Sequence, residues 1–320
     1  MKYKATIYLI FIFFCNGCRS QLKINKMDIK KFGELLIKEV KRYPYEPTYY
    51  FSLYSNACSF QVLINDMPIW SFFKMGGMSG TMLPINAMVS KSGEQTVTIK
   101  VYPPNGVNDE LTKVIGSNAQ MQIALAVTDW QNKMPMKVIN KILFLLPIVN
   151  GKLSCAGLPY FEYTVTFDLQ VPYETISWNN GVNLAKEDSS RLQKEVLYVY
   201  EKVWKMWSEK DLIKICNYTK SVYISGVQSQ YRDMRIWKEY SDDLLKIINN
   251  KNFKMEPIEK YTLKYYGNGK VVALERIDLW NRNRSALLKY YIKDNGSEKT
   301  ETEPLYLYRP SKNSPLEPIR

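Results

Sequence analysis

The sequence predicts an N-terminal antiparallel β-sandwich followed by an α+β domain in which helices precede an antiparallel meander. Residues 44–175 alternate apolar and polar side chains with a period of two, which is typical of strands with one buried face. Residues 189–248 repeat apolar side chains every three or four positions, which indicates helices. With 320 residues and 46% hydrophobic content, the chain is long enough for two cores.

A helix is expected before the sandwich, within residues 18–43. Ile29, Phe32, Leu36 and Val40 fall on one face of this helix, and lysines surround them. Such an amphipathic helix either lies on a membrane or packs against the domain that follows it. The segment is therefore expected to tether the folded part of the chain.

The sandwich, residues 44–175, is expected to contain short strands separated by turn residues, in the manner of a sandwich or jelly roll. The expected strands are Tyr49–Tyr54, Ser59–Ile64, Ile69–Phe73, Leu83–Val89, Gln95–Tyr102, Met121–Val127 and Phe161–Val171. A further apolar run, Ile142–Val149, is too short to span a membrane and is interrupted by Pro147. We expect it to be a buried strand or another piece of the core.

The α+β domain, residues 189–320, begins after a polar connector. Its expected helices are Leu192–Trp207, Glu209–Asn217 and Ser229–Ile248, and its expected strands are Tyr261–Tyr266, Lys270–Trp280, Ala286–Ile292 and Leu305–Tyr308. Gly267-Asn268-Gly269 is a strong hairpin signal, because glycine and asparagine tolerate positive φ. The order of elements resembles the NTF2-like fold, which implies a cone with a pocket between its helices and its concave sheet.

The first twenty residues, MKYKATIYLIFIFFCNGCRS, have the basic, apolar and small-residue order of a secretory signal. Lys2 and Lys4 precede an apolar run from Ala5 to Phe14, and Gly17 precedes Cys18. This order resembles the lipobox of bacterial lipoproteins. An ordinary secretory leader with two incidental cysteines is the alternative interpretation.

The lipobox resemblance implies that residues 1–17 are removed and that a diacylglyceryl group is attached to Cys18. Cys15 stands where the lipobox usually has Leu. The chain is accordingly expected in the bacterial cell envelope, anchored by its lipid to the outer membrane and facing the periplasm. Its membrane contact would then be made by the lipid.

The chain contains no histidine. This absence excludes Ser-His-Asp catalysis, Cys-His catalysis and every metal site that needs a His ligand. We therefore expect a protein that is not an enzyme, with no catalytic residues, no cofactor and no metal site.

The net charge of +13 favours an acidic partner or an anionic surface. Residues 18–43 hold eight Lys or Arg against three Asp or Glu, so this segment would attract anionic headgroups near the anchor. Nucleic acid is not expected as a partner, because an exported protein rarely meets it. A lysine-rich composition with solvated surfaces is the alternative explanation.

Three cysteines follow Cys18 in the sequence. Cys58 and Cys155 lie near the first and last strands of the sandwich, and a disulfide between them would close a long loop. Two unpaired, buried thiols are the equally weighted alternative. Cys216 lies on an apolar helix face and is expected to be a small core residue.

The candidate partner-binding face lies in the C-terminal meander. It consists of Trp280, Arg282, Arg284, Tyr290 and Tyr291, residue types that are enriched at protein interfaces. A turn with two solvated arginines is the alternative interpretation of the arginine pair.

One acidic pair in the meander also needs an interpretation. Glu275 and Asp278 flank Arg276 and face opposite sides of their strand, so they do not form a catalytic pair. We expect a solvated face with cross-strand ion pairs at these positions.

The sequence therefore favours an envelope lipoprotein that acts by binding another protein. The most specific hypothesis is an immunity protein, which neutralises a toxin that its own cell delivers to neighbours. An accessory subunit of an envelope assembly and an NTF2-like binder of a small ligand are the alternatives.

Overall fold

The computed structural model describes residues 29–73, 76–105, 112–278 and 281–319. Over these ranges the chain is a mixed α+β protein rich in antiparallel strands, and this part of the predicted fold class is confirmed. The helices lie mainly in the middle of the chain, between two groups of sheets. No helix in the described ranges is both long and apolar enough to cross a bilayer.

The first group of strands forms two four-stranded antiparallel sheets and a short hairpin. Its strands are β1 (Thr48–Asn56), β2 (Ser59–Ile64), β3 (Met67–Phe72), β4 (Met78–Pro84), β5 (Gly93–Tyr102), β6 (Gln120–Asp129), β7 (Met134–Leu145), β8 (Ile148–Val149), β9 (Lys152–Leu153) and β10 (Phe161–Leu169). One sheet has the order β4-β1-β6-β7, the other has the order β10-β5-β2-β3, and β8 pairs with β9. Apolar side chains from both four-stranded sheets meet in a single core.

The strand expected at Leu83–Val89 lies earlier in the chain than predicted. The observed β4, Met78–Pro84, overlaps the expected range only at Leu83 and Pro84, and a single 3-10 turn follows at Asn86–Met88. The buried side chain of Asn86 causes this exit: its Oδ1 accepts from the Tyr49 amide at 2.8 Å, and its Nδ2 donates to the Pro47 carbonyl at 2.8 Å. The Asn86 side chain thereby bonds backbone groups at the start of β1 that would otherwise need a neighbouring strand.

Five helices are present in the described ranges. They are α1 (Ile29–Lys38), α2 (Ser189–Ser208), α3 (Leu212–Tyr218), α4 (Lys220–Ser229) and α5 (Met234–Ile248). The helix expected at Ser229–Ile248 begins later, at Met234, and Ser229 instead ends α4, which the sequence pattern did not predict. Between these two helices Tyr231 has a positive φ of 48°, and Asp233 caps α5 by accepting from the Ile236 amide.

Helix α1 packs against the C-terminal helices. Ile29, Phe32 and Leu36 are buried in the same core as α2 and α5. Gly33 allows this close approach, because a Cβ at that position would lie 1.7 Å from Nε1 of the buried Trp237. The Trp237 indole also donates a hydrogen bond to the Ile29 carbonyl at 3.2 Å. The apolar stripe that the sequence shows is therefore used within the protein.

The remaining strands form two small antiparallel sheets. They are β11 (Lys254–Met255), β12 (Tyr261–Tyr266), β13 (Val271–Arg276), β14 (Leu288–Ile292), β15 (Glu298–Thr302), β16 (Leu307–Tyr308) and β17 (Glu317–Pro318). One sheet has the order β11-β14-β15 and the other β12-β13-β16-β17. The predicted Gly-Asn-Gly hairpin joins β12 to β13, with Tyr266 opposite Val271.

Strand β13 is buried on both faces. Val272 and Leu274 point into the core formed with the helices. Val271 and Ala273 point the other way, into a second cluster that contains Leu63 from the first group of sheets. Because side chains alternate along a strand, one strand contributes to both clusters. The two β-rich parts of the chain therefore share a packed contact.

Replacing Gly33 with Ala should destabilise the protein by about 2 kcal/mol, because the added methyl group overpacks a fully buried indole. Urea unfolding followed by tryptophan fluorescence measures this loss. Gly226→Ala is the matched control, since a Cβ on that helical glycine meets nothing within 4 Å. The control should be neutral or stabilising. Equal effects of the two substitutions would contradict the close α1–α5 packing.

Candidate functional site

A cleft of about 660 Å³ lies between the β10-β5-β2-β3 sheet and the β12-β13 hairpin. Four cationic side chains line it: Lys100, Lys264, Arg276 and Arg282. Three tyrosines also line it: Tyr102, Tyr265 and Tyr266. No Asp or Glu is present among the described residues that line the cleft. A volume between 300 and 1,000 Å³ is typical of small-molecule sites.

A cross-strand row of polar residues forms one wall of the cleft. Glu162 on β10 lies opposite Lys100 on β5, which lies opposite Gln61 on β2. Lys100 Nζ is 3.9 Å from Glu162 Oε2, so this cation is balanced by a carboxylate. Gln61 is 3% exposed, and its Nε2 has no hydrogen-bond acceptor in the structure. The wall thus presents a buried, unpaired amide donor to the cleft.

A buried carboxyl group, that of Glu275, contacts the facing wall through Tyr266 but does not itself line the cleft. The Tyr266 hydroxyl donates to Glu275 Oε1 at 2.7 Å, while Glu275 Oε2 has no partner. Burial raises the pKa of Glu275, and the Tyr266 hydrogen bond and the charges of Lys264 and Lys100 oppose this rise only in part. Burial likewise raises the pKa of Tyr266.

The expectation of a solvated face around Glu275 is therefore wrong. Glu275 and Arg276 are 1% and 6% exposed, because β13 is covered on both faces. An ion pair is present, since Arg276 Nε donates to Asp278 Oδ1, but it joins residues two positions apart and is not the expected pair between strands. Arg276 is thus neutralised locally although it lines the cleft.

Arg282 spans the mouth of the cleft by contacting aromatic rings. Its guanidinium carbon lies 5.1 Å from the ring centroid of Phe73 and 5.3 Å from that of Tyr102. These cation–π contacts join the loop after β13 to the first group of sheets. Among the described residues, Arg282 has no carboxylate partner, and neither has Lys264. Two cations at the cleft are thus left without a salt bridge.

The predicted partner-binding residues are separated in the structure. Arg282 lines the cleft, and Arg282 and Arg284 together line a smaller adjacent depression of about 120 Å³ next to Trp70. Trp280 lies outside the described residues.

Tyr290 and Tyr291 lie on β14, and Tyr291 lines a different depression, of about 470 Å³, beside α5. Lys254 Nζ lies 4.7 Å above the ring of Tyr290. Tyr291 is buried and donates from its hydroxyl to Glu301 Oε1 at 2.9 Å. The two arginines and the two tyrosines therefore belong to different sites.

Cys58 and Cys155 are buried in the same core and are free thiols in the structure. Burial raises the pKa of Cys58 to about 12, and the neighbouring Cys155 adds to this rise. Burial also raises the pKa of Cys155. The structure thus has the unpaired state, and oxidation of this pair to a disulfide stays a prediction. Cys216 is buried in the helical core, as expected from its helix face. Cys18 lies outside the described residues.

A second candidate surface, here called the β7 surface, lies at the edge of the first sheet. Its exposed apolar side chains are Met136, Val138, Ile139, Ile142, Leu145, Ile148 and Val149. Ile142 and Ile148 are 59% and 68% exposed, so the prediction of a buried strand at Ile142–Val149 is wrong for most of this run. Only Leu143, Phe144 and Leu146 reach the core.

The exposure of β7 follows from its place in the sheet. It pairs only with β6, and the register shifts between Ile123 and Leu125, so the strand leaves the regular ladder there. The outer backbone edge and much of both faces are therefore open. Between Trp130 and Leu153 the sequence has four lysines and no Asp or Glu, so the β7 surface is both apolar and cationic.

The chain matches no protein-family model, no curated protein and no solved structure. Among the described residues, no group of three or more His, Cys, Asp and Glu side chains is arranged to hold a metal ion. The cleft and the β7 surface are therefore the features of the described residues that indicate a function.

Replacing Glu275 with Gln should make stability less sensitive to pH. The folded chain holds the Glu275 proton more tightly than the unfolded chain does, so wild-type stability falls as pH rises from about 4.5 through the raised pKa. The Gln variant lacks this loss, and its advantage over wild type should grow between pH 4 and pH 8. Urea unfolding at several pH values measures it.

The matched control is Glu201→Gln, which removes one exposed carboxylate from α2. This control should keep the pH dependence of the wild type. A parallel pH dependence of the wild type and Glu275→Gln would show that Glu275 titrates normally.

Proposed function

We propose that this chain is a non-catalytic, lipid-anchored envelope protein that binds another protein through the β7 surface. The observation that carries the proposal is the set of exposed apolar side chains on β7, whose outer edge pairs with no described strand, and on the adjacent β8. Contiguous exposed apolar surface is typical of interaction sites, and an edge strand also offers free backbone donors and acceptors. The β-sandwich is then the docking module, and the α+β domain supports it.

The charge of the β7 surface indicates the chemistry of its partner. Lys133, Lys137, Lys141 and Lys152 surround the apolar side chains, and no acidic residue lies between Trp130 and Leu153. A partner with an acidic rim around an apolar patch complements this arrangement. An extended segment of the partner would pair with the open edge of β7, as in β-strand addition.

The most specific form of this function is that of an immunity protein. Such a protein waits at the membrane and neutralises a toxin that its own cell exports. An anchored protein with an exposed docking edge suits this role. An accessory subunit of an envelope assembly would use the same surface with several partners.

The lipid anchor has its own test. Cys18→Ala should move the protein from the membrane fraction to the soluble fraction, or leave the leader uncut, because the thiol that carries the lipid is absent. Detergent-phase partitioning and the mass of the N-terminal peptide measure both results. Cys15→Ala is the control and should stay anchored, since the leader is removed with it. A processed Cys18→Ala protein that remains at the membrane would refute the anchor.

The docking surface is tested by photo-crosslinking in living cells. A photoreactive residue at Ile142 or Ile148 should crosslink to one protein partner, whereas the same residue at Tyr198 should not. Tyr198 is a suitable control because it is also 68% exposed, on α2. Ile142→Ser with Ile148→Ser should reduce co-purification of that partner by about tenfold or more, as expected when interface anchors are lost. Tyr198→Ser should leave it unchanged.

The identity of the crosslinked partner separates the two forms of the proposal. A partner that is toxic when produced alone, and harmless together with this chain, supports the immunity form. Several envelope assembly proteins would support the accessory form. Crosslinks to lipid alone, or unchanged partner binding by the double variant, would overturn docking at the β7 surface.

A further inference from the structure

We propose that the cleft between the β10-β5-β2-β3 sheet and the β12-β13 hairpin binds a small anionic ligand that carries a phosphate monoester. This site is separate from the β7 surface and does not depend on the proposed function. Arg282 and Lys264 would contact the phosphate oxygens. Gln61 Nε2 would donate to a further acceptor oxygen of the ligand.

The charge of the cleft supports an anion. Lys100 and Arg276 are balanced by Glu162 and Asp278, respectively, but Arg282 and Lys264 have no carboxylate partner among the described residues. Two unbalanced cations match the charge of a phosphate monoester, which is close to −2 at neutral pH. The positive charge of Lys264 also acts on Glu275, whose pKa it lowers. Stabilisation of the Glu275 carboxylate is therefore the competing explanation for the presence of Lys264 at this site.

The geometry of Arg282 leaves its hydrogen-bond donors available. Its guanidinium carbon lies near the rings of Phe73 and Tyr102, whose centroids are 5.3 Å apart, so both rings contact the cation from one side. The N–H groups lie in the guanidinium plane and have no acceptor in the described part of the chain. These N–H groups are available to donate to a phosphate.

The unpaired amide of Gln61 is the independent observation that indicates a ligand. Buried polar atoms are almost always hydrogen-bonded, yet Gln61 Nε2 lines the cleft without an acceptor. The Tyr266 hydroxyl, which donates to Glu275, is the competing acceptor within the protein, because Gln61 is close enough to lower the pKa of that hydroxyl. A ligand oxygen in the cleft would satisfy this donor.

The experiment is isothermal titration calorimetry of the whole chain with phenyl phosphate, inorganic phosphate and phenol. Phenyl phosphate should bind with one-to-one stoichiometry, more weakly at high salt, and phenol should not bind. Lys264→Gln with Arg282→Gln should weaken binding by about tenfold or more, since two charge-assisted contacts are lost. Lys194→Gln with Lys312→Gln is the charge-matched control on exposed lysines and should bind as the wild type does.

Gln61→Met keeps the proposal falsifiable if the double variant fails to fold. Removing a buried unpaired amide should raise the Tm by about 2 °C, because the desolvation cost disappears. The same substitution should weaken phenyl phosphate binding. A higher Tm with unchanged affinity would overturn the role of Gln61 in ligand binding.

Vesicles of phosphatidylcholine with and without phosphatidic acid identify the source of the phosphate. Binding to the acidic vesicles that depends on Arg282 and Lys264 assigns the ligand to a lipid headgroup, and binding to soluble phenyl phosphate alone assigns it to a free ester. The absence of binding by every phosphate probe up to about 10 mM would overturn the proposal, because a Kd above that value corresponds to less than about 3 kcal/mol of binding free energy.

Discussion

The double burial of β13 is the constraint on which the rest of the structure depends. Its even-numbered side chains complete the helical core, and its odd-numbered side chains pack against Leu63 of the first group of sheets. Tyr200 attaches the longest helix to this strand, because its hydroxyl accepts from the Leu274 amide at 3.0 Å and donates to the Leu305 carbonyl at 2.6 Å. The cleft walls lie on strands held by these contacts, so the positions of Lys264 and Tyr266 are fixed by packing rather than by a loop.

The N-terminal segment also packs against the C-terminal helical core. Helix α1 joins the C-terminal core before the chain enters the first sheets, so the second core contains residues from both ends of the described sequence. The connection continues through Arg42, whose Nη1 donates to the Tyr231 carbonyl at 2.7 Å, and through the paired rings of Tyr43 and Tyr231. Helix α1 and the segment after it are thereby attached to the C-terminal helices, and the β7 surface lies on the other group of elements.

The local sequence pattern predicted most of the helices and strands, whereas the positions of the two candidate sites depend on pairing between distant strands. The alternation at Ser59–Ile64 and the Gly-Asn-Gly turn each gave the observed strand or hairpin, because period and turn chemistry are local properties. The cleft could not be predicted in this way. Gln61 and Lys100 are 39 positions apart and become neighbours only through strand pairing. The burial predicted for Ile142–Val149 is wrong for the same reason, since hydrophobicity alone does not show that a strand lies at a sheet edge.

The two candidate sites share a thermodynamic property that an ordinary surface lacks. At the cleft, Gln61 Nε2 and Glu275 Oε2 are buried without partners, and each such atom costs about 1–3 kcal/mol. At the β7 surface, apolar side chains such as Ile148 remain in water although the same fold buries smaller ones. Both costs fall when another molecule is bound. A bound molecule that supplies hydrogen-bond partners at the cleft, or that covers the apolar side chains of the β7 surface, would therefore lower the free energy of the protein.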